Sequence, residues 1–150
     1  MKPLLVLIAV FIIAIVVSKV ATSNYNIHLS ARIAMCAMLC FTAIAHFVFT
    51  KGMTMMIPAF IPFKKELVYF TGVLEIVLGI ALLVPQFRVY AGWTLIVFFV
   101  LMLPANINAA IHKIDYQKGS FEGNGLAYLW FRVPLQIVFI AWTYLSSVKY

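Results

Sequence analysis

Glu75 lies in the middle of an almost wholly apolar stretch, TGVLEIVLGI, which covers residues 71–80. If this stretch is a membrane helix, a central carboxylate costs roughly 2.5–3.5 kcal/mol on insertion scales, so such a residue usually faces a partner or a cavity. Gly72, Glu75 and Gly79 are spaced i, i+3, i+7 and therefore share one helix face. Because small residues let neighbouring helices approach closely, this spacing predicts that Glu75 points into a helical bundle.

Further polar side chains are predicted to meet Glu75 at a similar depth. Arg132 and Gln136 are spaced i, i+4 and share a helix face, as do Thr42 and His46. With a rise of about 1.5 Å per residue and alternating helix directions, they fall in the membrane half on the side of the N-terminus, here called side A. We expect Arg132 to come within hydrogen-bonding reach of Glu75 and to keep the carboxylate ionised. The predicted polar cluster consists of His46, Glu75, Asn106, Asn108, Arg132 and Gln136.

Two interpretations of this cluster stand side by side. Ionisable residues within a membrane are functional candidates, which favours a ligand or proton site. A buried polar network can instead fix the register of the helices without binding anything. A quinone head needs a hydrogen-bond donor beside apolar walls, and a histidine such as His46 can supply a proton near neutral pH.

The composition indicates lipid as the solvent of this chain. The 150 residues are 65% hydrophobic and 10% charged, whereas soluble domains are about 45–50% apolar and about 25% charged. The gaps between charged residues are long enough for membrane helices, which need about 17–25 apolar residues. The sequence thus predicts an all-α membrane protein, a single domain over residues 1–150 with five transmembrane helices. They are expected near residues 3–20, 30–50, 67–84, 89–110 and 127–147.

The first of these segments has two interpretations. A signal peptide would also show a basic residue followed by an apolar run, but SKVATS, residues 18–23, is a poor cleavage site. We therefore expect a membrane helix that stays in the protein.

The net charge of +7 does not indicate nucleic acid binding. The basic residues stand singly or in pairs among the predicted loops and form no stripe, so lipid headgroups are their expected partners. More of them lie on side A than opposite, which favours a cytoplasmic side A. The expected location is a bacterial-type cytoplasmic (inner) membrane, with several passes. The side A residues are Lys2, Lys51, Lys64, Lys65, Lys113 and Lys118.

The connection between the second and third predicted helices, residues 52–66, is unusual for a loop. Pro58 and Pro62 break helix geometry, yet Met56 and Phe60 are among many apolar residues here. We expect the segment to lie in the side A interface as an anchor, or to fold over the polar cluster as a lid formed by Met56, Pro58, Phe60 and Pro62.

Nothing in the sequence matches a bound redox centre or a metal site, since it contains no C-x-x-C-H motif and no nucleotide-binding loop. Cys36 and Cys40 share a helix face and are interpreted as packing residues. His112 falls at or beyond its helix end, which argues against a haem held with His46. No catalytic residue is assigned, and the protein is not expected to be an independent enzyme.

Several motifs, taken in order, resemble the DoxX-like family of small membrane proteins over roughly residues 30–148. This resemblance implies a four-helix core formed by the second to fifth predicted helices, with the first helix as an addition. The family takes its name from a subunit of a thiosulfate:quinone oxidoreductase, and a eukaryotic relative is an assembly chaperone for acetylcholine receptors. The motifs are AHF (45–47), MIPAFIP (56–62), LVYFTGVLEIVLGIALLVP (67–85), RVYAGW (88–93), LPANINAAIH (103–112) and WFRVPLQIVFIAW (130–142).

Three functions follow as hypotheses. The first is a binding module for a lipophilic molecule, such as a quinone, an isoprenoid or another lipid, at the polar cluster. The second is an accessory or chaperone subunit of a larger membrane protein complex. The third is the membrane subunit of an oxidoreductase, such as a thiosulfate:quinone-type enzyme, which would rely on a partner for its cofactor.

Overall fold

The computed structural model describes residues 2–150, and within this range the regular secondary structure is helical, with no strand. The all-α prediction is therefore confirmed. The helices are α1 (Lys2–Thr22), α2 (Ile27–Val48), α3 (Thr50–Met56), α4 (Lys64–Ala81), α5 (Arg88–Leu101), α6 (Leu103–Ile111) and α7 (Leu126–Thr143), and a π-helical turn follows α7 (Tyr144–Val148).

Four helical segments are long and apolar enough to cross a membrane, which indicates a membrane protein: Lys2–Thr22, Ile27–Val48, Arg88–Ile111 and Leu126–Val148. The third of them is interrupted between α5 and α6, where Met102 separates the two helices and Pro104 stands in the first turn of α6. Proline lacks a backbone N–H and clashes with the preceding turn, so it begins a new helix more easily than it continues one.

The third predicted span, residues 67–84, differs most from the structure. Helix α4 begins at Lys64, directly after Phe63, whose φ of 52° is left-handed, and it ends at Ala81. The helix therefore includes the charges of Lys64, Lys65 and Glu66 in addition to Glu75. Its 18 residues span about 27 Å at the helical rise, but these four charged residues distinguish it from the four apolar spans.

Helix α2 lies at the centre of the bundle. It packs against α1 on one side and runs antiparallel to α4 on the other, and it also contacts α7 and the π-helical turn. Helices α5, α6 and α7 complete the bundle, and the connection after α6 packs back against α3. The main core combines α2, α4, α5 and α7 with one residue of α1; it contains Leu7, Ala34, Met35, Met38, Leu39, Leu78, Leu82, Ala91, Leu95, Phe98, Phe99, Leu135 and Phe139.

Helix α1 packs along α2, but little of its surface is buried. Leu7 is its buried residue, and Phe11 meets the ring of Trp142 edge-on, with the ring centroids 4.9 Å apart. Most of its other side chains are apolar and face outward, as expected for a helix surrounded by lipid.

Candidate functional site

A cavity of about 880 Å³ opens at the end of the bundle where α1, α4 and α7 begin and α2 and α6 end. This is the side A end of the predicted topology. Its volume lies within the range of about 300–1,000 Å³ that is typical of small-molecule sites. The walls are largely apolar and include Met38, Leu39, Phe98, Phe99, Phe131, Leu135 and Phe139.

Glu75 lies on the wall of this cavity and is 7% exposed. Its partners come from α2, the helix that packs along α4. The hydroxyl of Thr42 donates a hydrogen bond to Oε2 at 2.8 Å, and Nε2 of His46 lies 3.4 Å from Oε1. Glu75 therefore points into the bundle, as the glycine spacing predicted. Gly72 contributes because, without a Cβ, it lets the His46 side chain approach α4 closely.

The opposite nitrogen of His46, Nδ1, faces α4. Nδ1 lies 3.1 Å from the carbonyl oxygen of Val68 and 3.1 Å from the hydroxyl of Thr71, which itself donates to the Val68 oxygen. Since a carbonyl oxygen only accepts, we infer that Nδ1 carries a proton. Nε2 is then the ring nitrogen that faces the Glu75 carboxyl.

Arg132 does not approach Glu75 within hydrogen-bonding reach, so the predicted ion pair is wrong. Its Nε donates to the hydroxyl of Tyr128 at 2.6 Å, and the guanidinium lies over the rings of Tyr128 and Tyr116, at 4.8 and 5.8 Å from their centroids. Both Glu75 and Arg132 line the cavity. They find different partners because α2 supplies those of Glu75, whereas α7 and the connection after α6 supply those of Arg132.

Asn106 and Gln136 form a second polar group on the cavity wall. The Asn106 amide donates to the side-chain oxygen of Gln136 at 3.3 Å, and the Gln136 amide donates to the backbone carbonyl of Phe99. Both side chains are buried. This carbonyl lies near the end of α5, so the pair satisfies a backbone group where α5 is interrupted before α6.

Asn108 does not line the cavity and instead binds the predicted lid segment. Its amide donates to the carbonyl of Met56 at 2.9 Å, and the Lys64 ammonium donates to the carbonyl of Ile57 at 3.0 Å. These bonds fix the chain just after α3, where its carbonyls lose helical partners.

The predicted lid lines the cavity only in part. Met56, Pro58 and Phe60 contribute to its wall, and Pro62 does not. Met56 is buried, while Phe60 is 83% exposed. Residues up to Met56 belong to α3 rather than to a loop.

Some residues of the site escaped the sequence analysis. Thr71 stands four residues before Glu75 and Tyr128 four before Arg132, so the i, i+4 rule offered a signal for both. Tyr116 lies in the connection after α6, and no helical spacing could have placed its ring against Arg132.

Neither cysteine of the chain is in a disulfide bond, as Cys36 and Cys40 are both free. Within residues 2–150, no group of three or more His, Cys, Asp or Glu side chains could hold a metal ion.

Comparison with known proteins places the chain in a family without assigning an activity. No curated protein and no solved structure matches it. The model of a family described as a domain of unknown function, DUF8561, matches residues 35–147, which include α3 to α7 and most of α2, and the chain belongs to this family.

Proposed function

We propose that this protein is a non-enzymatic binding module for a lipophilic small molecule of the quinone or isoprenoid class. The observation that carries the proposal is the cavity of about 880 Å³, whose apolar walls are interrupted by a few convergent polar side chains. Such a combination suits a ligand with an apolar body and a polar head. The head would meet the group formed by Thr42, His46 and Glu75, and the body would lie along the phenylalanines.

The membrane setting completes this proposal. Helix α4 would act as the fifth transmembrane helix, because its length of about 27 Å approaches the thickness of the hydrocarbon core, about 30 Å. Side A would face the cytoplasm of a bacterial-type inner membrane, as the distribution of lysines indicates. A ligand could then reach the cavity from the headgroup level of one leaflet. The DoxX-like resemblance remains a prediction and adds no ligand.

The hydrogen bonding of Glu75 supports a role in meeting the polar head. A carboxylate offers about four acceptor sites, and Thr42 and His46 face one oxygen each. Acceptor capacity therefore remains for a donor on the ligand. Glutamine has a single acceptor oxygen, so Glu75→Gln keeps the shape of the side chain and removes about half of this capacity.

Native mass spectrometry of the protein released from membranes in a mild non-ionic detergent tests the proposal. We expect a small-molecule adduct on the wild type and at least a tenfold lower adduct fraction on Glu75→Gln. Glu66→Gln is the matched control, since Glu66 lies on the same helix, is exposed and does not line the cavity. The control is expected to keep the adduct.

The remaining hypotheses are alternative outcomes of the same spectra. A wild type that carries a protein partner and no small molecule would contradict the proposal and favour an accessory or chaperone subunit of a membrane complex. A partner that carries a redox cofactor would instead favour the membrane subunit of an oxidoreductase. An adduct that is equally abundant on Glu75→Gln would show that Glu75 does not contact the ligand.

A further inference from the structure

Arg132 is a partly buried cation of the cavity wall without an acidic side chain within 4 Å, whereas Lys2, another cation of the wall, is exposed. The sole contact within 4 Å between acidic and basic side chains in residues 2–150 is that of His46 with Glu75. The guanidinium has five N–H donors, and its Nε bonds to Tyr128. The two terminal nitrogens make no hydrogen bond within the described chain, and neither is sealed off by neighbouring atoms.

None of the acidic groups that line the cavity pairs with Arg132. The partners of the Glu75 carboxyl are Thr42 and His46 on α2. Asp115 and Glu122 line the cavity mouth, but neither lies within 4 Å of a basic side chain. Asp115 instead accepts hydrogen bonds from the backbone N–H groups of Gln117 and Lys118 through its Oδ1.

The position of Arg132 makes this unpaired charge costly. It stands six residues after the start of α7, about 9 Å along the helix, and its side chain is partly buried. A cationic side chain at such a depth normally pairs with an anion or with backbone carbonyls. The rings of Tyr116 and Tyr128 offset part of the cost through cation–π attraction, but they leave the outer edge of the guanidinium free. That edge has the geometry to bind a carboxylate or a phosphate through two parallel hydrogen bonds.

We propose that the ligand of the cavity is an anionic amphiphile whose carboxylate or phosphate head binds Arg132. This inference rests on the proposed function, which it narrows from neutral quinones to lipids with an acidic head. The apolar tail extends along Phe98, Phe99 and Phe139, which belong to the same cavity. His46 and Glu75 contact the uncharged polar atoms of the head.

Three probes with the same tail and different heads test this inference: laurate, dodecyl phosphate and dodecanol. Each is titrated onto delipidated wild-type protein in a non-ionic detergent, and the apparent Kd is read from the fraction of bound protein in native mass spectra. We expect at least one of the two anions to bind about tenfold more tightly than dodecanol. Laurate and dodecyl phosphate separate a carboxylate head from a phosphate head.

Substitution of Arg132 tests whether its guanidinium causes the tighter binding of the anions. Arg132→Gln is expected to bring the anions to the affinity of dodecanol, and Arg132→Lys, which keeps the charge, to retain part of the preference. Arg88→Gln is the matched control, because Arg88 begins α5 and does not line the cavity. The thermal midpoint and helical circular dichroism of every variant are recorded, and Arg132→Lys provides the test if Arg132→Gln does not fold.

The outcomes distinguish failure of the anionic head from failure of the proposed function. If dodecanol binds the wild type as tightly as both anions, the cavity is a lipid site and the anionic head is refuted. If the anions keep their preference in Arg132→Gln and in Arg132→Lys alike, the head binds elsewhere and the inference is equally overturned. If none of the three probes binds, the proposed function fails together with the inference.

Discussion

The close packing of α4 on α2 predicts opposite results for one substitution at two glycines. A Cβ atom at residue 72 would lie 2.9 Å from the His46 Cβ and 3.3 Å from a ring carbon of Phe47. A Cβ atom at residue 79 would lie 3.5 Å from the nearest atoms of Cys36, an ordinary contact distance. Gly72→Ala should therefore push the two helices apart, whereas Gly79→Ala should fit.

The expected magnitudes follow from two opposing terms. Replacing glycine by alanine within a helix stabilises the folded state by about 0.5–1 kcal/mol, because it reduces the conformational freedom of the unfolded chain. Overpacking a well-packed contact costs about 1–3 kcal/mol. Gly79→Ala should thus raise the free energy of unfolding by up to ~1 kcal/mol. Gly72→Ala should lower it by about 0.5–2 kcal/mol.

Reversible unfolding in mixed micelles, followed by circular dichroism, measures both variants against the wild type. The displacement of His46 should also weaken its contact with Glu75, so Gly72→Ala should lose the adduct seen in native mass spectra, and Gly79→Ala should keep it. Equal stability and equal adduct fractions of the two variants would refute the inferred geometry of α2 and α4.

Two further predictions concern the segments that surround the cavity mouth. Gly52→Ala should destabilise the protein by about 3 kcal/mol or more, because the alanine Cβ would lie 1.8 Å from the carbonyl oxygen of Tyr116. The same unfolding assay measures this change. Unchanged stability would mean that the connection after α6 does not rest on α3. Asn108→Ala removes the hydrogen bond to the Met56 carbonyl and should lower the free energy of unfolding by about 1–3 kcal/mol. Amide hydrogen exchange in residues 50–63 should become faster. Unchanged exchange there would contradict the anchoring role of Asn108.

The helices could be predicted from the sequence because long apolar runs and charged residues mark them clearly. Their ends were less predictable. The third predicted span begins after the charged residues Lys64 to Glu66, yet these residues lie within α4. A helix can extend beyond its apolar run when its first turn reaches polar surroundings. Pro85 contributes to the earlier end of α4, because the residue before a proline disfavours helical geometry.

The partners within the site were harder to predict than its depth. Helical rise places Glu75 and Arg132 in the same half of the bundle, but it does not fix the rotation of one helix relative to another. The pairing of Glu75 with Thr42 and His46 depends on which face of α2 meets α4, and that is decided by the packing of the whole bundle. The ring of Tyr116 comes from an irregular connection, which no periodicity describes.

Filling the cavity tests most directly whether a ligand occupies it. Ala105 lines the cavity on α6, so Ala105→Phe adds apolar volume there and leaves every polar side chain of the site unchanged. Ala127→Phe on the exposed face of α7 is the control. Native mass spectra in non-ionic detergent should show the small-molecule adduct on the wild type and on Ala127→Phe, and its loss on a folded Ala105→Phe. An adduct that persists on Ala105→Phe at the wild-type level would contradict binding in the cavity.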